Sequence, residues 1–413
     1  MSEWKEYRLG EIADIQTGPF GSQLHQRDYV TIGTPCIMPT NIGTRLNIDT
    51  TNIAHVKKED VERLNRHCVK EGDIIYSRRG DIEKCAYILP ENEGWLCGTG
   101  CLRIRINRDY MIPRFIAYQL STKKCKKMIV GNAVGTTMLN LNSSILKGLP
   151  IYAPIKEEQE RIMSILSSLD EKIAVNKKIC ENLEAQAQAL FKHWFVDFAP
   201  FKDGQFVESE FGLIPEGWRV GTIQDLASKM ASGGTPSSTN RDYYGGNVLW
   251  FSTKELNDNF LLDSEKHITR LGLDNSSAKL FPKDTVLMAI YAAPTVGRLG
   301  ILSQEATFNQ AAVGIVAKEE IGYEYIYLLL LSERKNLNNL ACGAAQQNLN
   351  VGIVKNYKCI IPSKTTLSTF RDYIALIFLQ LKELQEESSR LATFRDTLLP
   401  KLMSGQIKLN EYE

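Results

Sequence analysis

The sequence predicts an α+β protein: two homologous globular domains of mixed sheet and short helices, joined by two long antiparallel coiled-coil helices in a pseudo-twofold arrangement. Three observations carry this prediction. The phrase GTTMLNLNSSILKGLPIYAP, Gly135 to Pro154, returns 208 residues later as GAAQQNLNVGIVKNYKCIIP, Gly343 to Pro362. Short β-rich runs broken by Gly, Pro and Asn fill each half. Each repeated phrase is followed by a stretch whose apolar residues recur in alternating steps of four and three.

The repeat extends upstream of the phrases. WKEYRLGEIADIQTG from Trp4 answers WRVGTIQDLASKMASGG from Trp218, and EGDIIYSRRGDIEKCAYI answers PKDTVLMAIYAAPTVGRLGIL. Offsets there drift to 214 and 211, as loop insertions produce. Each half is therefore one divergent copy of a domain. Runs such as DIIYS, CLRIRI, TVLMAI and AAVGIVA read as strands. Only one or two short helices are expected per copy, among them IPRFIAYQLSTKKCKKMI with its early proline. The boundaries follow: a globule over 1–154, a helix over 155–200, a second globule over 201–363 and a second helix over 364–413.

The first helical seam runs through Ile162, Leu166, Leu169, Ile173, Asn176, Cys180, Leu183, Ala187, Leu190 and Trp194. At the same offset of 208 the second runs through Phe370, Ile374, Ile377, Leu381, Leu384, Ser388, Leu391, Arg395, Leu398 and Leu402. Ten positions in register make two heptad seams. Both weaken in the middle. Antiparallel pairing brings Asn176 near Ser388, a polar pair able to fix register. The alternative is two separate amphipathic helices, each lying on its own globule. About 36 helical residues give a rod of about 50 Å.

Composition excludes several classes. Of 413 residues, 43% are hydrophobic and 23% charged, which is ordinary for a folded chain and excludes global disorder. MSEWKEYRLGEIADI holds no apolar run behind a basic head, and Ile321 to Leu331 is too short to cross a bilayer. The expectation is a cytoplasmic protein without membrane contact. Nine cysteines without a CxxC pair fit reduced, strand-buried thiols, Cys97 and Cys101 included. Net charge is +1, but residues 1–154 hold 21 Lys+Arg against 16 Asp+Glu, net +5, and residues 201–363 hold 15 against 17, net −2. A nucleic-acid binder with so weak a footprint needs local basic clusters or partner subunits.

The junction ALFKHWFVDFAPFKDGQFVESEFGLIPEGWRVGTIQDLA, Ala189 to Ala227, and the tail RDTLLPKLMSGQIKL, Arg395 to Leu409, carry a resemblance. So do GPFGSQLHQRDYVTIGTP, SGGTPSSTNRDYYGGNVLWFST, SRRG and FNQAAVGI. They resemble the specificity subunit of type I restriction-modification systems, over essentially the whole chain. The resemblance implies two target-recognition domains alternating with two conserved spacer helices, and a chain that reads double-stranded DNA and catalyses nothing. It implies two modification subunits that bind S-adenosylmethionine and methylate adenine, and two motor-nuclease restriction subunits that hydrolyse ATP with magnesium. No cofactor is expected on this chain.

The catalytic inventory agrees. No Gly-Lys dipeptide exists to form a P-loop, and the Asn/Asp-Pro-Pro-aromatic motif of amino-methyltransferases is missing. Glu333 and Lys335 resemble a fragment of a nuclease metal site, but no Asp lies between Thr285 and Arg371. Five scattered His have neither metal nor triad spacing. No catalytic residue and no metal site are expected.

Candidate DNA contacts fall in five places. Arg78 and Arg79 sit in a Gly-closed turn after a strand, where a guanidinium can reach guanine O6 and N7 or a phosphate; the alternative is a solvated or internal turn. Lys123, Lys124 and Lys127 belong to KKCKK on a short helix, able to neutralise phosphates or simply to solvate a face. Glycine-flexed loops offer Ser22, Gln23, His25 and Arg27 in one copy and Ser237, Ser238, Asn240, Arg241 and Tyr243 in the other. The same residue types also serve turns for backbone reasons alone. Finally, Thr136 and Thr137 carry hydroxyls that Ala344 and Ala345 lack.

Two diverged readers on a rigid rod predict an asymmetric, bipartite target, since half-sites on one face of B-DNA are about 34 Å apart per turn. Two rivals remain at this level. One is a self-contained DNA methyltransferase or nuclease with fused recognition domains. The other is a scaffold whose coiled coil only joins partners.

Overall fold

The computed structural model describes residues 4–43, 45–132, 140–291, 294–340, 348–407 and 409. Its contacts divide the chain into two compact units, residues 1–172 with 391–413, and residues 173–390.

In the first unit the strand Lys5–Arg8 pairs antiparallel with Pro150–Ala153, so the beginning of the globule is stitched to its end. Between them lies a four-stranded sheet in the order Ala13–Thr17, Cys101–Ile106, Ile74–Ser77, Cys85–Tyr87. The run DIIYS becomes an inner strand because all four residues of Ile74–Ser77 are buried, the pattern of a strand covered on both faces. A second sheet orders Tyr29–Val30, Ala54–Val56, Thr34–Ile37 and Leu96–Cys97, with its last pair parallel.

The second unit repeats this plan. Arg219–Thr222 pairs with Lys358–Ile361. The main sheet runs Ala227–Ser232, Ala312–Ala317, Val286–Ala289, Leu299–Leu302 and then an extra strand, Asn259–Leu261. The smaller sheet runs Lys266–Ile268, Tyr244–Phe251 and Thr307–Phe308, again with a parallel last pair. A hairpin, Phe206–Ser209 with Gly212–Pro215, precedes it.

Short helices are more numerous than the sequence suggests. The first copy holds Leu9–Ile12, Lys58–Arg63, Pro113–Ser121, Lys123–Asn132 and Ser143–Lys147. The stretch read as one helix breaks at Thr122, whose backbone is extended at φ −67° and ψ 148°. Its hydroxyl donates to the Gln119 carbonyl at 2.7 Å and accepts from the Cys125 N–H at 3.3 Å. One side chain thus closes one helix and caps the next. The second copy has a single unbroken helix here, Tyr323–Asn339.

Both long helices form, Lys156–Phe195 and Lys364–Met403, at 40 residues each. Every predicted seam position is buried or half-buried. Within the second unit they run antiparallel: Asn176 Nδ2 donates to Glu387 Oε2 at 2.7 Å and Ser388 Oγ at 3.3 Å. Further along, the Phe195 and Trp194 rings lie 4.7 and 5.7 Å from that of Phe370. Within the first unit Asp170 meets Arg395. The seam misses Phe191, Phe195 and Phe378, which are 4%, 7% and 1% exposed. They widen the apolar stripe where the helices pack against the core of the second unit.

Arg395, an odd member of an apolar seam, is a buried cation held by Asp170 and Asp396. The Tyr118 hydroxyl donates to the same Asp170 carboxylate, and burial with that neighbouring charge pushes the phenol pKa up. Among the described residues the eight cysteines are free thiols and all but Cys68 are buried. Burial pushes Cys36 and Cys85 up to about 12, so they are inert.

Candidate nucleic-acid interface

The repeated Asn-Leu-Asn is the key to the site. Asn142 Oδ1 accepts the Ile145 N–H and Asn350 Oδ1 accepts the Ile353 N–H, both at 2.9 Å, so each caps the short helix that follows. The fully buried leucine before each asparagine performs the second task. Leu141 N–H donates to the Arg78 carbonyl at 2.9 Å, and Leu349 N–H to the Ile290 carbonyl at 2.8 Å. The shared phrase therefore clamps the residue that leaves the inner strand in each globule.

Two more segments meet there. In the first unit Arg78 N–H donates to Gly100, Gly18 N–H to Cys101, and the Thr99 hydroxyl to Pro19. In the second, Ile290 N–H donates to Ala311, Gly233 N–H to Ala312, and Gly234 N–H to Phe308. The close approach explains the glycines: a Cβ on Gly18 or on Gly233 would stand 2.1 Å from the carbonyl oxygen of Gly98 or Phe308. The glycine loop, the turn and the strand exit thus form one cluster in each copy.

Of the candidates, Arg78, Arg79, Ser22, Gln23 and Arg27 belong to the first cluster or its loop. Arg79 is exposed and turns at Gly80, whose φ is +76°. Arg78 is half-buried, and its Nε lies buried without a hydrogen-bond partner among the described residues. Ser22, His25 and Arg27 are exposed, whereas Gln23 Oε1 accepts the Phe20 N–H at 3.3 Å as turn chemistry. In the second loop Ser237, Ser238 and Arg241 are exposed. Asn240 Oδ1 caps the Asp242 N–H at 3.1 Å, and Tyr243 is half-buried. Trp250 Nε1 and the Tyr244 hydroxyl donate to Gly234 and Pro236 and hold this loop in place.

The lysines stand differently. Lys123, Lys124 and Lys126 line a cavity of about 930 Å³ with Arg45, Trp4, Asp170 and Arg395. The Lys124 ammonium lies 4.8 Å from the centre of the Tyr152 ring. Lys127 is exposed. Among the described residues no hydrogen bond or ion pair joins this helix to the loop cluster. Thr136 and Thr137 lie outside the described residues.

The strand arginines Arg103 and Arg105 are internal. Arg105 holds Asp73 in two bonds of 2.7 and 2.6 Å, and Arg103 holds the Arg66 carbonyl and Gln16.

The cluster occurs twice, and so does one family model. The description "Type I restriction modification DNA specificity domain" matches residues 1–185 and 215–386. The chain belongs to this family. A DNA specificity domain present twice makes it a reader of DNA sequence. The HindI specificity subunit of Haemophilus influenzae is 27% identical, covering 98% of this chain and 100% of its own. The MjaIX specificity subunit of Methanocaldococcus jannaschii is 26% identical over 99% and 94%. The crystal structure of a type I S subunit from M. genitalium shares the fold at a TM-score of 0.58 and 17% identity, covering 97% and 96%. Among the described residues no helix is long and apolar enough to cross a membrane, and no group of three or more His, Cys, Asp or Glu could hold a metal ion.

Proposed function

We propose that the chain is the recognition subunit of a cytoplasmic type I restriction-modification complex, reading an asymmetric bipartite target and leaving catalysis to partners. The observation that carries this reading is one cluster of loop, turn and strand exit, built twice on the same backbone bonds with different side chains. Identical clusters would favour a palindrome; diverged ones favour unlike half-sites. The functional division runs over 1–154, 155–200, 201–363 and 364–413, supported by the strand pairs that close each globule at Ala153 and Ile361.

The partners of this reading are two modification subunits, which bring S-adenosylmethionine, and two restriction subunits, which bring ATP and magnesium. Docking on the long helices is supported by apolar side chains left in solvent: Val175, Leu376 and Leu379 are 50%, 66% and 51% exposed.

The test is to map methylated adenines in DNA treated with the modification subunits, with and without this chain. The expected result is methylation at one asymmetric two-part sequence, only with the chain present. Methylation without base preference would favour the scaffold reading. Binding of labelled S-adenosylmethionine, or DNA cleavage, by the purified chain alone would favour a self-contained enzyme.

A further inference from the structure

Sequence alignment of the two copies at an offset of 211 sets Asp73 against Asp284 and Arg78 against Ala289. The backbone corrects this by one residue. Gly72 and Asp284 both adopt left-handed φ, +84° and +63°. Asp73 and Thr285 both follow as buried residues, 1% and 0% exposed. Inner-strand register then equates Ser77 with Ala289, since each faces the first residue of the neighbouring strand, Cys101 or Ala312. Arg78 and Ile290 make the same two backbone bonds, to Gly100 or Ala311 and from Leu141 or Leu349. Arg79 therefore corresponds to Tyr291.

The side chains at these places differ in kind. Arg79 is an exposed guanidinium. Ile290 is 1% exposed and fills the core, so the second copy presents its next residue instead: Tyr291, 41% exposed. A phenol carries one O–H and cannot offer guanine O6 and N7 the paired donors of a guanidinium, while its ring face is apolar. The apolar group that base edges display in the major groove is the thymine 5-methyl. The net charge of −2 over residues 201–363, against +5 over 1–154, fits a second reader that relies less on cations.

We propose that Tyr291 is a specificity-determining residue, which contacts a thymine 5-methyl in one half-site while Arg79 reads the other. This rests on the DNA-recognition reading of the same cluster. The complex of the full chain with its modification subunits is tested on targets randomised one position at a time.

Tyr291→Ala is expected to reduce discrimination roughly tenfold at one position of one half-site, the scale of a single lost base contact. Arg79→Ala is expected to relax a position in the other half-site. Tyr291→Phe keeps the parental preference, and Tyr291→Arg shifts it from thymine toward guanine. Uracil in place of that thymine, which removes only the methyl, weakens binding by the parent but not by Tyr291→Ala.

Unchanged base preference in both Tyr291→Ala and Tyr291→Arg overturns the proposal, as does relaxation of the same half-site by both alanine variants. Parental indifference to uracil overturns the methyl contact. A parental complex without base preference anywhere rejects the DNA-recognition reading itself, whereas a selective parent with unchanged Tyr291 variants rejects only this placement.

Discussion

Removing Asp170 tests how the first unit binds the two long helices together. Arg395 holds two carboxylates, and they differ in burial: its own side chain is 6% exposed, that of Asp170 22% and that of Asp396 56%. Breaking a buried pair from one side costs about 3–5 kcal/mol, because a charge is left without its partner. Arg395 retains Asp396 after Asp170→Ala, which lowers the figure; the Tyr118 hydroxyl, stripped of its carboxylate acceptor, raises it by about 1 kcal/mol or more. We expect a net loss of about 3 kcal/mol. Asp396→Ala removes only the exposed carboxylate and should cost under about 1 kcal/mol. Urea denaturation of the two variants beside the parent measures both losses. The double replacement Asp170→Leu with Arg395→Met should recover most of the larger one, since no charge is then stranded. Equal losses in the two single variants, or a loss below about 1 kcal/mol for Asp170→Ala, would refute the reasoning.

Burial first, then Asp258 and Glu181, pushes the Glu184 carboxyl above its ordinary 4.5. The folded protein thus holds that proton more tightly than the unfolded chain, and stability falls as pH rises through the raised value. Glu184→Gln should therefore raise Tm at pH 7 and add nothing below about pH 4.5; thermal melts showing a pH-independent gain would contradict this. Asn176→Leu with Ser388→Leu should raise Tm while admitting shifted registers, visible as self-association in sedimentation and as weaker binding of modification subunits. Unchanged register, oligomeric state and partner binding would remove the register idea. With a net charge of +1, the isolated chain should bind DNA weakly at physiological salt and tighten only with its partners, as gel shifts would show. Nanomolar specific binding by the chain alone would be the contrary result.

Local patterning made much of this protein legible in advance. The heptad steps found both long helices because burial on a helix repeats every three to four residues, and none of the twenty seam positions is exposed. The repeated phrase gave two copies of one globule, and the strand runs fell where β-rich segments stand between turns. The glycines of both loops mark places of close backbone approach, where a Cβ at Gly18 or Gly233 is excluded.

What the sequence left out depends on partners distant along the chain. The Thr122 break was hidden because a threonine hydroxyl can end a helix only through bonds no periodicity records. Arg395 is a cation among apolar seam positions, and besides its neighbour Asp396 it is held by Asp170, 225 positions away, a pairing no local pattern shows. Asn240 looked free to read a base, yet its carbonyl oxygen is committed to a cap. Above all, one residue of slippage between Asp73 and Asp284 hid Tyr291, because a matching letter outweighed a matching φ. Sequence by itself determined two readers, two helices and the family they belong to. Only the tertiary structure decided which side chains stand at the same place in each reader, because equivalence there is set by backbone hydrogen bonds between segments far apart in the chain.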